Sequence, residues 1–250
     1  MRALILAAGQ GKRIRSVIGA RPNCLLTFNK TDWTILDQQI CALSRAGITE
    51  IGFAVGYGGD QIVRHVTQKY RRSLDRFRFI ENCHYSETDN VYSIWLARDW
   101  LQGCPFVLLN GDLAFDFQIL PPALISPGPI TMVVDRVWRD QMMKVTIREN
   151  RITHMSRQIA HEDFSATHIG ITVFTRLIVH RFLQEIDLLV RQGQKNVSFE
   201  VGVQQLVAER VRVVCSDTGG RPWAEINDSG DLAFARLYVF PKLVTADVAA

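Results

Sequence analysis

A short apolar run that breaks into a basic, glycine-hinged turn, Leu6-Ala7-Ala8-Gly9-Gln10-Gly11-Lys12-Arg13, constrains this chain more than any other stretch. It reads as a buried strand ending in a tight loop. The two glycines let backbone N–H groups approach an anion without a Cβ in the way. Lys12 and Arg13 add positive charge where phosphate oxygens would sit. A dinucleotide fingerprint would place a third glycine where Ile14 stands, so a nicotinamide cofactor is not expected, and the P-loop pattern is missing too. The same segment superficially mimics a signal peptide, but the run is too short and Lys12-Arg13 stand where a cleavage region should be.

Short apolar runs at 4–7, 51–55, 77–80 and 106–109 alternate with segments 33–46, 60–70 and 90–101, whose apolar residues recur at spacings of three and four. Such alternation predicts a doubly wound, mainly parallel α/β sheet, with ligands at the carboxyl ends of its strands. Two of those ends carry polar loops, 9–22 and Asn110-Gly111-Asp112. Beyond Asp112 the pattern becomes β-rich: strands are expected at 130–135, 143–148, 151–154 and 169–174, with a turn at Glu149-Asn150. Helices at 176–191 and 199–210, strands at 211–214 and 224–226, and a closing helix from Gly230 follow. One domain spans 1–250, with a nucleotide-binding half (1–115) and an acceptor-binding half with the closing helix (116–250), the latter acting as a β-rich substrate lid.

Composition narrows the function classes. The 250 residues are 47% hydrophobic, enough for one large core. A net charge of +4 suits phosphorylated anions, but no Lys/Arg run or aromatic ladder points to nucleic acid. The densest cluster, Lys69, Arg71 and Arg72, reads as a solvated helix end. Five scattered cysteines without a CxxC pair suggest reduced thiols and a cytoplasmic home, and no segment is long enough to span a membrane.

A series of short stretches carries a family resemblance. Ala7-Ala8-Gly9-x-Gly11-x-Arg13 followed by Arg21-Pro22-x-Cys24-Leu25-Leu26 resembles the start of the sugar-phosphate and cytidylyl nucleotidyltransferases. Glu81-Asn82-x-x-Tyr85-x-x-Thr88-x-Asn90-x-x-Ser93 is similar to phosphocholine and 2-aminoethylphosphonate cytidylyltransferases, and Asn110-Gly111-Asp112 matches the family's first magnesium-binding aspartate. Met143-Lys144-Val145, Ile169-Gly170-Ile171, Glu200 and Trp223-x-Glu225-Ile226 follow in order, so the resemblance runs from Met1 to about Leu237. It implies a Rossmann-like nucleotidyltransferase fold. The implied reaction moves a cytidylyl group from CTP to a small phosphorylated or phosphonylated acceptor, with magnesium as cofactor and pyrophosphate as leaving group.

By the same resemblance, Leu6, Ala8, Gly9, Gly11, Lys12 and Arg13 wrap the nucleotide. Lys12, Arg13 and Asn23 stand at the catalytic positions. Asp112, Glu225, Asn227 and Asp228 are the metal candidates, with Asp228 equally readable as the cap of the last helix. Asn90 and Ser93 hold nucleotide or acceptor, unless Asn90 caps its helix. Lys144 and Glu200 address the acceptor's phosphate and amine. Trp138, Trp223 and Tyr85 offer an aromatic wall for a trimethylammonium group, or plain packing. The chain departs from the pattern at Asn23, where a lysine is usual, at Asn227, where the second metal-binding aspartate is usual, and at Thr167-His168, where an acidic residue is usual. These departures keep two alternatives open: a sugar-1-phosphate nucleotidyltransferase using UTP or dTTP, and a catalytically degenerate nucleotide-binding or regulatory homologue. The expected partners are CTP or another nucleoside triphosphate, the acceptor, and at most a second copy in a homodimer, with neither nucleic acid nor membrane.

Overall fold

Along β1 (Arg2–Ala7) alternate side chains enter two different cores. Ala3, Ile5 and Ala7 pack with Leu36, Leu43, Ile62 and Val66 on one side. Leu4 packs with Ile94, Leu101, Phe182 and Val203 on the other. A strand buried on both faces must be central, with helices above and below, and each fully buried Leu or Ile contributes about 1.5–3 kcal/mol to that arrangement. The computed structural model describes residues 1–28 and 32–243. Residues 244–250 of the expected acceptor half lie outside the described residues.

The remaining elements follow in chain order as α1 (Arg15–Ile18), α2 (Ile35–Arg45), β2 (Glu50–Val55), α3 (Gly59–Lys69), β3 (Phe77–Glu81), α4 (Asn90–Leu101), β4 (Phe106–Asn110) and β5 (Leu113–Phe115). Then come α5 (Leu120–Leu124), β6 (Ile130–Asp135), the hairpin β7 (Lys144–Arg148) and β8 (Arg151–Ser156), and β9 (Ala166–Phe174). The described chain ends with α6 (Arg176–Arg191), α7 (Glu200–Ala208), β10 (Val213–Asp217), β11 (Trp223–Glu225) and α8 (Ser229–Phe234). The main sheet runs β10-β6-β9-β4-β1-β2-β3. Strands β1 to β4 are parallel, β9 is antiparallel to both β4 and β6, and β10 is parallel to β6. The doubly wound, mainly parallel mixed sheet expected from the sequence is the observed one.

From β1 the chain winds outward through β2 and β3, then crosses back to place β4 on the other side of β1. This reversal opens a crevice at the carboxyl ends of β1 and β4. The β7–β8 hairpin turns on Glu149 and Asn150, both at positive φ, and β7 is stitched to the start of β9 at Lys144↔Thr167. A third core, built on Ile14, Leu26, Ala114, Ile226 and Leu232, ties the N-terminal loop to the β5–β11 ribbon and α8.

Three local expectations change. The strand β5, only three residues long and directly after Asn110-Gly111-Asp112, is an element the sequence pattern did not single out. Asp89, not Asn90, caps α4. Lys69 is no free surface charge: its Nζ lies 2.9 Å from Oδ2 of the fully buried Asp37 and 4.9 Å from the Trp33 ring centre.

Candidate active-site cleft

The glycine-hinged loop keeps its shape through a contact that involves a departure from the family pattern. Gly11 has φ +55°, and a Cβ there would collide with the Asn23 side chain. Asn23 Nδ2 also donates to the Ile226 carbonyl at 3.0 Å. The amide therefore ties the loop to the segment after β11. At the end of β4, a Cβ on Gly111 would sit 2.7 Å from the Leu6 carbonyl, so only glycine lets that turn press against β1.

Between these two strand ends lies a cleft of two adjoining chambers, about 420 and 250 Å³. Gly11, Lys12 and Asn23 line the larger one. Leu6, Gly9, Arg13 and Asp112 face both. Ala8, Asn90, Ser93, Glu200 and Glu225 line the smaller one, while Asn227 faces both. Arg13 and Asp112, the basic turn and the strand-end carboxylate, thus share one cleft.

A chain of hydrogen bonds crosses its floor. Asn110 Nδ2 donates to Glu225 Oε1 at 2.8 Å, Asn227 Nδ2 donates to Glu225 Oε2 at 2.9 Å, and Arg13 donates to Asn227 Oδ1 at 2.8 Å. Arg13 also donates to Gln141 Oε1. Burial first, and then the nearby Glu225 carboxylate, push Asp112 well above the usual carboxylate range. Glu225 is raised too, chiefly by burial, although its bonds to Asn110 and Asn227 work against the shift. Two acidic groups that each resist ionisation and line one cleft make a place for positive charge.

The opposite end of the smaller chamber is built differently. Glu200 is 6% exposed at the start of α7, and its Oε1 lies 3.5 Å from Nδ1 of the equally buried His168 on β9. His168 Nε2 lies 3.1 Å from the Thr172 hydroxyl and 3.2 Å from the Ile171 carbonyl. Burial acts to raise the Glu200 carboxyl, but the His168 contact outweighs it and holds the group low. Asn90 Oδ1 accepts the Phe199 N–H at 2.6 Å, so this side chain caps the entrance to α7 rather than its own helix. Ser93 accepts from Asn82 Nδ2 at 3.2 Å.

Four expected residues stand outside the cleft lining. Lys144 is buried, and its Nζ donates to the carbonyls of Asp140, Met142 and Arg157 at 2.7–3.3 Å, so it secures the hairpin base instead of reaching for a phosphate. Trp138 stacks on His161 at 3.7 Å and covers that lysine. Trp223 is buried, with its indole N–H donated to Asp135. Asp228 accepts from the Gly230 and Asp231 amides in a capping box that starts α8, so of its two readings the cap is the one observed. Tyr85 is the expected aromatic that does line the cleft. Sequence reading passed over Arg157, Gln141 and Asp89, which come from loops or a cap and join the cleft only through tertiary folding. His168 carried a signal only as a departure. Among the described residues no cluster of three or more His, Cys, Asp or Glu is arranged as a metal site, and no helix is long and apolar enough to cross a membrane.

No family model matches the chain. A CTP:phosphoglutamine cytidylyltransferase from Campylobacter jejuni is 23% identical over 255 aligned residues, which cover 93% of this chain and 98% of that protein. A 2-aminoethylphosphonate cytidylyltransferase from Lancefieldella rimae is 33% identical over 121 residues, 48% of this chain and 46% of the relative. In structure, the chain is similar to the inositol-1-phosphate CTP transferase from T. maritima, with a TM-score of 0.81 at 23% identity, covering 98% of this chain and 96% of the other. That likeness is one of fold, and the sequence kinship runs along almost the whole chain. Together they make this chain similar to the sugar-phosphate and cytidylyl nucleotidyltransferases, in fold over nearly its full length and in sequence along most of it.

Proposed function

We propose that the protein is a magnesium-dependent cytidylyltransferase that moves the cytidylyl group of CTP onto a small phosphorylated or phosphonylated acceptor, releasing pyrophosphate. The observation that carries this reading is the convergence of Arg13, Asp112 and Glu225 on one cleft at the reversal point of the sheet. An acceptor phosphate or phosphonate oxygen attacks the α-phosphorus of CTP, and the bond to the β-phosphate oxygen breaks. Every reacting group is anionic, so the protein contributes position and positive charge. The backbone of Gly9 to Gly11 and the side chains of Lys12 and Arg13 bind the triphosphate in the larger chamber. Arg13, held between Gln141 and Asn227, stands at the junction where the two substrates meet.

Magnesium fits the donor set. Asp112 and Glu225 are hard oxygen donors that each ionise reluctantly without a cation, Asn227 adds an amide oxygen, and this ion needs only one or two carboxylates because it keeps most of its waters. When bound it would neutralise charge on the phosphates. Asn23 and Asn227 are neutral where charge is usual in the family. Asn23 instead braces the loop against Ile226, and Asn227 orients Glu225 and Arg13.

The test is pyrophosphate release with CTP, UTP, dTTP and GTP in turn, each with magnesium and a panel of phosphorylated acceptors. CTP should turn over fastest. Preference for UTP or dTTP with a sugar 1-phosphate would favour the sugar-nucleotide alternative. Nucleotide binding without turnover in any combination, insensitive to magnesium, would favour the degenerate homologue.

A further inference from the structure

Lys144, the residue expected to meet the acceptor's phosphorus group, is closed off, and its own hydrogen bonds lead to what stands in its place. The buried Nζ donates to the carbonyls of Asp140 at 2.7 Å, Met142 at 3.3 Å and Arg157 at 2.9 Å. Two of these carbonyls flank Gln141 in the loop before β7, and the third belongs to Arg157 in the loop after β8. One ammonium thus fixes the backbone around both residues. Their side chains line the smaller chamber and not the larger one. The loop before β7 is anchored twice more, by the Thr167 hydroxyl on the Val137 carbonyl at 2.7 Å and the His168 N–H on the Met143 carbonyl at 2.8 Å.

Chemistry fixes which way Gln141 faces. An amide nitrogen cannot accept from a guanidinium, so Oε1 is the atom on Arg13, and the N–H groups of Nε2 are left for another partner. Among the described residues nothing accepts from them. The Arg157 guanidinium likewise makes no hydrogen bond or ion pair among the described residues, although it lies near enough to Asp89 to favour that carboxylate's ionised form. Asp89 and Glu200 line the same chamber, so an anion entering it needs direct donors and not merely a positive field. Gln141 and Arg157 are those donors.

Resting on the cytidylyltransferase reading, we propose that the acceptor's phosphate or phosphonate is held by the Gln141 amide and the Arg157 guanidinium, with Lys144 as a positioning residue that does not touch it. A guanidinium offers a planar fork that matches two oxygens on one phosphorus. Because Gln141 Oε1 is on Arg13, an oxyanion on Nε2 sits beside that guanidinium, at the junction of the two chambers. A neutral amide is what permits this. A glutamate at 141 would bind Arg13 more strongly, offer the chamber no donor and repel the oxyanion. The positive charge that the motif places on β7 is thereby delivered from the loops that enter and leave the β7–β8 hairpin.

The probe is methylphosphonate, which carries the phosphorus group alone. Its binding is read by phosphorus NMR line broadening with magnesium and the α,β-methylene analogue of CTP, which fills the nucleotide site without transfer. Wild-type protein should bind both together. Arg157→Ala should weaken methylphosphonate binding by about 10–100-fold, the scale of one or two hydrogen bonds to a charged group, and leave the affinity for the analogue unchanged. Gln141→Ala should weaken it by about tenfold and Gln141→Glu by more. A purely structural Gln141 predicts the reverse order, since glutamate keeps the Arg13 contact. In turnover with 2-aminoethylphosphonate or phosphocholine, Lys144→Met should raise the acceptor KM more than it lowers kcat. That buried variant can misfold, so the exposed Gln141 and Arg157 carry the test. No methylphosphonate binding, its displacement by the analogue, full retention in Arg157→Ala, or wild-type binding in Gln141→Glu would overturn the assignment and leave the cytidylyltransferase reading intact. Failure of the nucleotide analogue to bind would overturn both.

Discussion

Asp37 and the Asp112–Glu225 pair are all carboxylates largely removed from water, and the protein treats them in opposite ways. Asp37, in the first turn of α2 and away from the cleft, accepts from the Thr34 backbone and hydroxyl, from Lys69, and from the Tyr70 hydroxyl, and it lies 2.9 Å from His65 Nε2. Burial alone would raise its pKa, yet His65, Thr34 and Lys69 outweigh that and hold it well below the usual carboxylate range. Asp112 and Glu225 line the same cleft with Arg13 as the nearby cation, and both are raised. A fold has no need to leave two acids poorly compensated when it can satisfy one so fully elsewhere. The contrast separates a carboxylate that holds structure from a pair kept for a ligand.

The largest effect expected from this contrast is on catalysis. Asp112→Asn should lower kcat/KM for cytidylyl transfer by about 10²–10³, the scale for losing a group that stabilises transition-state charge. A loss below threefold in a steady-state assay would remove Asp112 from the reacting centre. Second in size is stability. Asp37→Asn should lower the unfolding free energy by roughly 2–3 kcal/mol in urea denaturation, since Lys69 and His65 lose a buried anion. Because the folded-state pKa of Asp37 is depressed, its contribution is present above about pH 4 and is lost as the pH falls through the folded value. Wild-type stability should therefore decline more steeply with acid than that of the variant.

Third, the same Asp112→Asn change that harms catalysis should stabilise the metal-free protein. A raised folded pKa means that ionising the group opposes folding, so the penalty is present once the pH exceeds the raised value and absent below the ordinary carboxylate range. At pH 8 in a chelator, the variant should melt roughly 2–4 °C higher, equivalent to about 1 kcal/mol in a chain of this size. Magnesium should close that gap in thermal-shift curves, and an unchanged gap would mean that repulsion is not what the pair stores. The smallest effect belongs to a residue the structure removes from the site: Trp138→Phe should change the acceptor KM by less than about threefold, because its ring packs on His161 and Lys144.

The two halves of the site were unequally legible. The loop from Leu6 to Arg13 and the turn at Asp112 announce themselves because strand ends, glycines and charges are neighbours in sequence, and the period of the flanking runs fixes which end of the sheet they occupy. The acceptor side depends on contacts across long separations: Asn90 meets Phe199, and Glu200 meets His168. No local pattern encodes those. Lys144, Trp138 and Trp223 stand outside the cleft lining for the same reason, since motif position places a residue near a site without fixing where its side chain points, and for the two tryptophans packing is the reading observed. Asp228 carried the signal for its cap all along, in the Asp228-Ser229-Gly230-Asp231 spacing.

If a cation between Asp112 and Glu225 completes the triphosphate site, calorimetric titration of CTP into the wild-type protein with and without magnesium will register it. Affinity should rise at least tenfold with magnesium, and Asp112→Asn should abolish the rise. CTP binding equally well in a chelator, or an undiminished magnesium effect in the variant, would contradict it.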